Sequence, residues 1–275
     1  MMKFYRIAVV GIFVVMTAVF GYTYIINYMS TDTTYPIIHL EDDVLEISVN
    51  ADASEFLDGV TARDGKDGDI SDKVIVESVS KFIKPGICKV TYAVCDADNH
   101  VATAVRKVKY TDYKSPQYVL NESLCYSVYE AINFKDAISV SDCFDGDLSN
   151  SMILTSNDYT GSAEGVFTID ATVTSSRGDT VDISFPFIVE NRSLTAPQIE
   201  LSQYLLYTKK GKTVDPEQFI VSATDNKDED ITEDITIDTN LDVNKKGTYL
   251  IHYYAVAERG ERGHSVLIVV VGNCK

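Results

Sequence analysis

The sequence has 275 residues, with 24 lysines and arginines against 41 aspartates and glutamates, which gives a formal net charge of −17. This acidic excess argues against nucleic acid as a partner, because the phosphate backbone would be repelled. The five cysteines are too few and too irregularly spaced for a disulfide framework or a zinc site, and their odd number leaves at least one unpaired.

The first predicted element is a membrane helix. Residues 7–26 carry no charge, and at about 1.5 Å per residue they span roughly 30 Å, the thickness of the hydrocarbon layer. Lys3 and Arg6 precede them, which favours a cytoplasmic N-terminus at residues 1–6. We predict a single-pass signal-anchor protein of the cell membrane, with a spacer at residues 27–35 and an extracytoplasmic remainder. A cleaved signal peptide is the alternative, although the apolar run continues past the weak cleavage site at Gly21.

Three acidic loops mark an internal repeat, and each pairs an aspartate with an acidic run that ends in isoleucine or leucine. They are Asp64 with Asp67-Gly68-Asp69-Ile70, Asp142 with Asp145-Gly146-Asp147-Leu148, and Asp225 with Asp228-Glu229-Asp230-Ile231. A proline precedes each loop, and a glycine follows its last aspartate by 17 or 18 residues. A period of about 80 residues suits a domain that closes its own core, so we predict separate domains at residues 36–111, 116–190 and 197–272.

Each of those glycines is followed by a predicted strand with one apolar face. The faces are Cys88, Val90, Tyr92 and Val94; Phe167, Ile169, Ala171 and Val173; and Tyr249, Ile251, Tyr253 and Ala255. A polar turn and a second strand follow, which is typical of a β-hairpin. Pro186 lies in the second strand of repeat two and predicts a sheet edge, because proline cannot donate to the ladder.

About seven short strands per repeat indicate an all-β fold of three tandem Ig-like β-sandwiches. The linkers at residues 111–115 and 191–196 are short. We therefore predict separate domains arranged as a semi-stiff rod behind the N-terminal helix.

The loop, the glycine that follows it, the alternating aromatic strand and the Ala97-Asp98-Asn99 turn together resemble a family of bacterial Ig-like repeats. Such repeats occur in tandem on cell-surface proteins, as accessory modules of surface enzymes, and in one type of pesticidal crystal protein; hyalin repeats are similar. The resemblance covers residues 36 to about 271 and is weaker in the second repeat, where Leu148 replaces isoleucine. It implies an extracellular module for display, spacing or adhesion, and it implies no reaction.

The acidic loop is the candidate site in the sequence. Asp64, Asp67 and Asp69, with Asp72 or a backbone carbonyl, would supply hard oxygen ligands to Ca²⁺, although their spacing is not that of an EF-hand. The interpretation that we favour is a turn, in which the aspartates accept backbone hydrogen bonds and glycine adopts positive φ. The Ile or Leu that follows would then fill the core. No other cofactor is expected.

Other candidate residues are few. Cys125 and Cys143, both in the second repeat, are the one disulfide pairing worth testing. The Tyr-Leu-Leu-Tyr stretch at residues 204–207 fits core or edge packing, with stacking on a sugar as the alternative. The four histidines have no metal-binding spacing and no serine lies in a nucleophile elbow, so no enzymatic activity is predicted.

The predicted function is contact rather than catalysis. The chain is expected to act in adhesion, display or spacing at a bacterial cell envelope, with an extracellular protein or glycan of unknown identity as its partner. The alternative is an accessory scaffold subunit of a membrane-bound polymer export or secretion assembly.

Overall fold

The structure, a computed structural model, describes residues 2–30, 33–155, 159, 161 and 163–272. Its regular elements are an N-terminal helix, α1 (Met2–Ser30), a one-turn helix, α2 (Phe134–Ala137), five short 3-10 turns and twenty strands. The contacts divide the chain into two compact units, Met1–Ser80 with Cys88–Lys109, and Lys81–Ile87 with Tyr110–Lys275. The predicted all-β class with one N-terminal helix is confirmed.

Helix α1 is apolar on all sides. Its segment Tyr5–Ile26 is long and apolar enough to cross a membrane, and none of it is buried by the rest of the protein. Side chains such as Ile7 and Phe20 are about as exposed as in an isolated helix, at 74% and 70%. Because these apolar side chains are exposed, transfer of the helix from water into an apolar environment is favourable. Length and composition suit a membrane span and a signal sequence equally well.

The first unit contains one sandwich of seven strands, the number that the sequence predicts. They are β1 (Ile37–Leu40), β2 (Val44–Ile47), β3 (Val60–Asp64), β4 (Gly68–Asp69), β5 (Ile75–Val79), β6 (Ile87–Cys95) and β7 (Val101–Tyr110). One sheet has the order β1-β3-β4 and the other β2-β7-β6-β5. The predicted hairpin is β6-β7, and Asn99 supplies the positive φ in its turn, at 69°.

The core of this sandwich lies on the predicted face of β6. Cys88, Val90 and Tyr92 are completely buried. The Tyr92 hydroxyl donates to the carbonyl of Phe56 at 2.7 Å. Arg106 is also buried, and its guanidinium donates to the Tyr92 hydroxyl and to the carbonyls of Phe56 and Asp58. These bonds satisfy a charge whose burial would otherwise be costly.

The second unit contains two sandwiches. The strands of the first are β8 (Gln117–Leu120), β9 (Cys125–Ser127), β10 (Ile138–Asp142), β11 (Gly146–Asp147), β12 (Ile153–Thr155), β13 (Gly165–Thr174) and β14 (Thr180–Glu190). Those of the second are β15 (Gln198–Leu201), β16 (Leu205–Thr208), β17 (Ile220–Thr224), β18 (Thr236–Thr239), β19 (Gly247–Val256) and β20 (Arg262–Val271).

The sheets of the second sandwich have the orders β11-β10-β8 and β12-β13-β14-β9. The prediction that Pro186 marks an edge strand is wrong, because β14 lies between β13 and β9. Proline is tolerated there because the parallel partner β9 pairs with β14 only from Ile188 onward. The missing donor of Pro186 therefore interrupts no bond to β9.

The third sandwich has six strands, in the orders β15-β17 and β16-β20-β19-β18. Its acidic loop forms a single bridge, Thr224 to Asp230, where the other two loops form a short strand. The positive φ falls on Asp228, at 62°, whereas Gly68 and Gly146 take it in the other loops. Aspartate adopts a positive φ more readily than glutamate does, which explains why Asp228 and not Glu229 has this conformation.

Strand β20 joins the second and third sandwiches. Leu267, Val269 and Val271 pack in the core of the third sandwich. On the opposite face of the strand, Ile268 belongs to the core cluster of the second sandwich, which also contains Phe185 and Phe187. The sheets group into three sandwiches, and the second and third of these also share a continuous core within one compact unit.

Prediction for the core of the first unit. Replacing Ile70, which is 2% exposed, by alanine should lower the free energy of unfolding by about 2–5 kcal/mol through lost burial and a residual cavity. The matched control is Ile75→Ala, since Ile75 is 60% exposed and should change stability by less than about 0.5 kcal/mol. Differential scanning calorimetry of the full chain measures both variants. Equal losses would contradict the assignment of Ile70 as the residue that fills the core.

Candidate functional site

The first aspartate of each acidic loop organises its own turn. The Asp64 carboxylate accepts the backbone N–H groups of Lys66 and Asp67 at 2.7 and 3.0 Å. Asp142 accepts those of Phe144 and Asp145 in the same way. In the third loop, Asp225 accepts from residues 227 and 229, and these bonds hold the pKa of its carboxyl below the usual value. Each of these aspartates acts as an acceptor that closes the turn.

The last aspartate of each loop works with a hydroxyl two residues later. Asp69 accepts both the N–H and the hydroxyl of Ser71, at 3.0 and 2.6 Å. The Ser71 hydroxyl oxygen in turn accepts the N–H of Ala62 on β3. The same geometry recurs in the other loops, through Ser149 and Thr232. The hydroxyl lowers the pKa of the aspartate in all three loops.

The middle aspartate reaches a different part of the sandwich. Asp67 accepts the N–H of Ala97, in the turn of the β6-β7 hairpin, at 2.7 Å. Asp145 accepts the N–H and the hydroxyl of Ser176, in the corresponding turn of the second sandwich. The loop therefore connects its own turn to the hairpin turn.

These bonds are the ones that the turn interpretation expects. Ile70 is buried behind the first loop, and Leu148 packs against the core of the second sandwich. The structure places Asp72 on the surface. Within the described part of the chain, the loop aspartates form no group of three carboxylates with oxygens inside 4.8 Å of one another. The Ca²⁺ site at Asp64, Asp67, Asp69 and Asp72 stays a prediction.

Sequence reasoning missed the serine and threonine partners in these loops. Ser71, Ser149 and Thr232 follow the last aspartate at the same distance in all three copies, as Asp-Ile-Ser, Asp-Leu-Ser and Asp-Ile-Thr. A hydroxyl two residues after an aspartate is a recognised local hydrogen-bonding pattern, so the repeat itself contained the signal.

A second cluster lies where the second and third sandwiches meet. Cys125 begins β9, Glu190 ends β14 and His264 lies in β20. His264 Nδ1 is 3.2 Å from Cys125 Sγ and 3.0 Å from Glu190 Oε2. Cys125 and His264 are 5% and 7% exposed, and Glu190 is partly exposed. Three groups that bind metals or move protons are thus held within one small volume.

Neighbouring residues position the cluster. His264 Nε2 lies 3.0 Å from Nδ1 of His252, and the ring of Tyr254 stacks on His264 with centroids 4.4 Å apart. Arg192 donates to the carbonyl oxygens of His264 and Cys125. The linker between the two repeats therefore supplies a side chain that binds both of them.

Electrostatics decide which protonation states the cluster favours. Burial, reinforced by the Glu190 charge, raises the pKa of the Cys125 thiol well above its usual value. Burial opposes the charge on Glu190, but hydrogen bonding to His264 and the charges of His264 and Arg192 outweigh it, so the pKa of Glu190 is lowered. Burial, reinforced by the charge of His264, lowers the pKa of His252. A protonated, buried thiol is a poor nucleophile, so this arrangement does not resemble an activated cysteine.

A cavity of about 420 Å³ borders the cluster. It is lined by Cys125, Arg192 and His264, and by residues of both adjoining repeats such as Tyr126 and Tyr204.

The remaining predicted residues have structural roles. The four described cysteines form no disulfide, and the pairing of Cys125 with Cys143 is wrong. Cys143 is exposed and bonds the carbonyl of Lys114, while Cys125 bonds His264. In the stretch 204–207, Leu205 is buried in the core cluster of the second sandwich and both tyrosines pack against it. That placement confirms the packing interpretation of the stretch.

Prediction for the acidic loops. If the aspartates serve as turn acceptors, the full chain should melt at the same temperature in millimolar Ca²⁺ and in EDTA. Ser71→Ala should lower stability by about 1 kcal/mol, because it removes one acceptor for Ala62 and one donor to Asp69. A Ca²⁺-dependent rise in melting temperature that Asp67→Asn abolishes would instead establish the calcium site. Differential scanning fluorimetry with an external dye suits a chain without tryptophan.

Two segments of the chain match the model of a known protein family. Residues 45–109 and 209–268 match the family model described as "Bacterial surface protein, Ig-like domain". The matched segments fall in the first and third repeats, where the sequence resemblance is also strongest. A search of curated proteins returned no match.

Three solved structures that match the chain have low sequence identity to it and low TM-scores. The M60 catalytic domain with the CBM51-1 and CBM51-2 domains from Clostridium perfringens ZmpB is 15% identical, with a TM-score of 0.25, over 88% of this chain and 31% of that one. Drosophila N-cadherin EC1-4 is 12% identical, with a TM-score of 0.23, over 88% and 76%. The lipoprotein BT2262 from Bacteroides thetaiotaomicron is 14% identical, with a TM-score of 0.20, over 85% and 99%. The chain thus spans about a third of the length of the ZmpB structure. Support for a bacterial surface Ig-like family comes from the two matched segments.

Proposed function

We propose that this chain is a membrane-anchored, extracytoplasmic Ig-like repeat protein of a bacterial envelope, acting in adhesion, display or spacing. The observation that carries this proposal is the unburied apolar helix Tyr5–Ile26, followed by repeats of which two match a bacterial surface family. A helix of 22 residues at about 1.5 Å rise is roughly 33 Å long, enough to cross the hydrocarbon layer.

The orientation follows from charge. Lys3 and Arg6 are the basic residues before the helix, and they favour a cytoplasmic N-terminus. Beyond the helix there are 22 basic and 41 acidic residues, a net charge of −19. Such a surface stays solvated and resists non-specific association, which suits repeats held outside the cell.

A role without catalysis fits the candidate sites. The loop aspartates accept backbone hydrogen bonds, and the thiol of Cys125 is buried and protonated. The partner of the repeats is an extracellular protein or glycan, which the chain meets through the surfaces of its sandwiches. Crosslinking in living cells tests this role. Recovery of an exporter or secretion component in place of a surface ligand would support the alternative, an accessory scaffold.

Prediction for topology. A membrane-impermeant maleimide applied to intact cells should label the exposed thiols of Cys95 and Cys143. The assay uses the full chain in a Cys274→Ser background, with the added Cys95→Ser and Cys143→Ser changes as the unlabelled control. Labelling that requires cell lysis would contradict an extracytoplasmic location.

The same samples distinguish an anchor from a signal peptide. Mass spectrometry of the membrane fraction should recover the N-terminal peptide that includes Lys3 and Arg6. A mature chain that begins after residue 21 and washes off the membrane would contradict the anchor while leaving the extracytoplasmic location intact.

A further inference from the structure

The cluster at the joint between the second and third sandwiches has the donor set of a transition-metal site. Cys125 Sγ, a Glu190 carboxylate oxygen and a ring nitrogen of His264 all lie within 4.8 Å of one another. Thiolate, imidazole and carboxylate are the three side-chain ligands that Zn²⁺ uses in proteins. Within the described residues, this is the one group of three such side chains that converge in this way.

The spacing of the donors suits a small tetrahedral ion. Zinc ligands at about 2.0–2.3 Å from the metal lie roughly 3.3–3.6 Å from one another in a tetrahedron. The observed separations are 3.2 Å from Cys125 Sγ to His264 Nδ1 and 3.0 Å from His264 Nδ1 to Glu190 Oε2. Cys125 Sγ is 3.8 Å from Glu190 Oε1. The two contacts of Glu190 use different carboxylate oxygens, and one donor atom from each of the three residues lies within 4.8 Å of the other two, so a turn of the carboxylate would bring all three donors onto one ion.

The surroundings hold the ligands in this arrangement. His264 uses Nδ1 toward Cys125 and Glu190, while its Nε2 faces Nδ1 of His252 at 3.0 Å. With a metal bound, Nδ1 of His264 would carry no proton, and a hydrogen bond from its Nε2–H to Nδ1 of His252 would hold the ring in that tautomer. Arg192 fixes the main chain at both Cys125 and His264 through their carbonyl oxygens.

A fourth ligand has room to enter. The cavity of about 420 Å³ is lined by Cys125 and His264 and leaves space for a water molecule beside them. Water in that position would complete a tetrahedral shell of four ligands around the ion.

We propose that Cys125, Glu190 and His264 bind one Zn²⁺ ion, which clamps the second sandwich to the third. On binding, the Cys125 S–H bond breaks, the proton leaves to solvent and the sulfur forms a bond to zinc. Cys125 and Glu190 belong to the second sandwich and His264 to the third, so the ion crosslinks strands that are far apart in the sequence. Because binding releases this proton, affinity for zinc should fall as the pH falls.

The test uses the full chain, purified in detergent and stripped with a chelator. Co²⁺ serves as the spectroscopic probe, because a Co²⁺–thiolate bond produces a charge-transfer absorption that oxygen and nitrogen ligands do not. We expect one equivalent of Co²⁺ to produce this absorption and one equivalent of Zn²⁺ to remove it. Saturating Zn²⁺ should also raise the melting temperature, by roughly 5 °C or more.

Variants connect the signal to the proposed ligands. Cys125→Ser should abolish the charge-transfer absorption, and His264→Gln should weaken binding at least 10-fold. His252→Gln, which alters the orienting partner alone, should weaken it roughly 10- to 100-fold. Cys143→Ser is the matched control, since Cys143 is an exposed thiol outside the cluster, and it should bind as the unmodified chain does.

The outcomes separate a metal site from a purely hydrogen-bonded network. Absence of the charge-transfer absorption in the unmodified chain overturns the proposal without reference to any variant, so a variant that fails to fold leaves it testable. Persistence of the absorption in folded Cys125→Ser, checked by far-UV circular dichroism, overturns it as well. None of these results depends on whether the chain is anchored in the membrane.

Discussion

Burial of strand β20 on both faces is the constraint on which the second unit depends. A half-buried strand would alternate apolar and polar residues, but residues 266–271 are apolar without interruption. One set of side chains, at 267, 269 and 271, completes the third sandwich, and the set at 266, 268 and 270 packs on the second. Each fully buried aliphatic side chain contributes about 1.5–3 kcal/mol, so the joint is an important part of the stability of both sandwiches. The same face brings His264 to Cys125 and Glu190, and the candidate metal site exists because the two repeats share a core.

The acidic loops are a second, local constraint, and they explain why the repeat is legible in the sequence. Each loop uses its first aspartate for its own turn and its last aspartate for the hydroxyl that binds the neighbouring strand. In the first two sandwiches the middle aspartate holds the hairpin turn. A motif with several simultaneous structural duties tolerates few substitutions, which is sufficient reason for its recurrence without a ligand. The aspartates of the loops are therefore explained by the hydrogen bonds of the turns and not by the acidic charge of the surface.

Much of the fold follows from local pattern. Alternation predicts the buried faces of β6, β13 and β19, and an uninterrupted uncharged run predicts α1. Contacts between distant segments could not be predicted in this way. Cys125 and His264 are 139 residues apart, and nothing in either local sequence indicates that they meet. The parallel pairing of β9 with β14 and of β16 with β20 depends on the same long-range geometry. The run at residues 266–271 was a usable signal, since it departs from the alternation seen in the other hairpin strands.

The second and third repeats lie in one compact unit, and hydrogen exchange of the full chain tests most directly whether they unfold cooperatively. Ile268 is completely buried, lies in a strand of the third sandwich and contacts the core of the second. With Ile268→Ala, exchange measured by mass spectrometry should show that amides in β13 and β14 lose protection together with those in β19 and β20. Amides of the first unit should keep theirs. Loss of protection confined to the third sandwich would contradict a shared core.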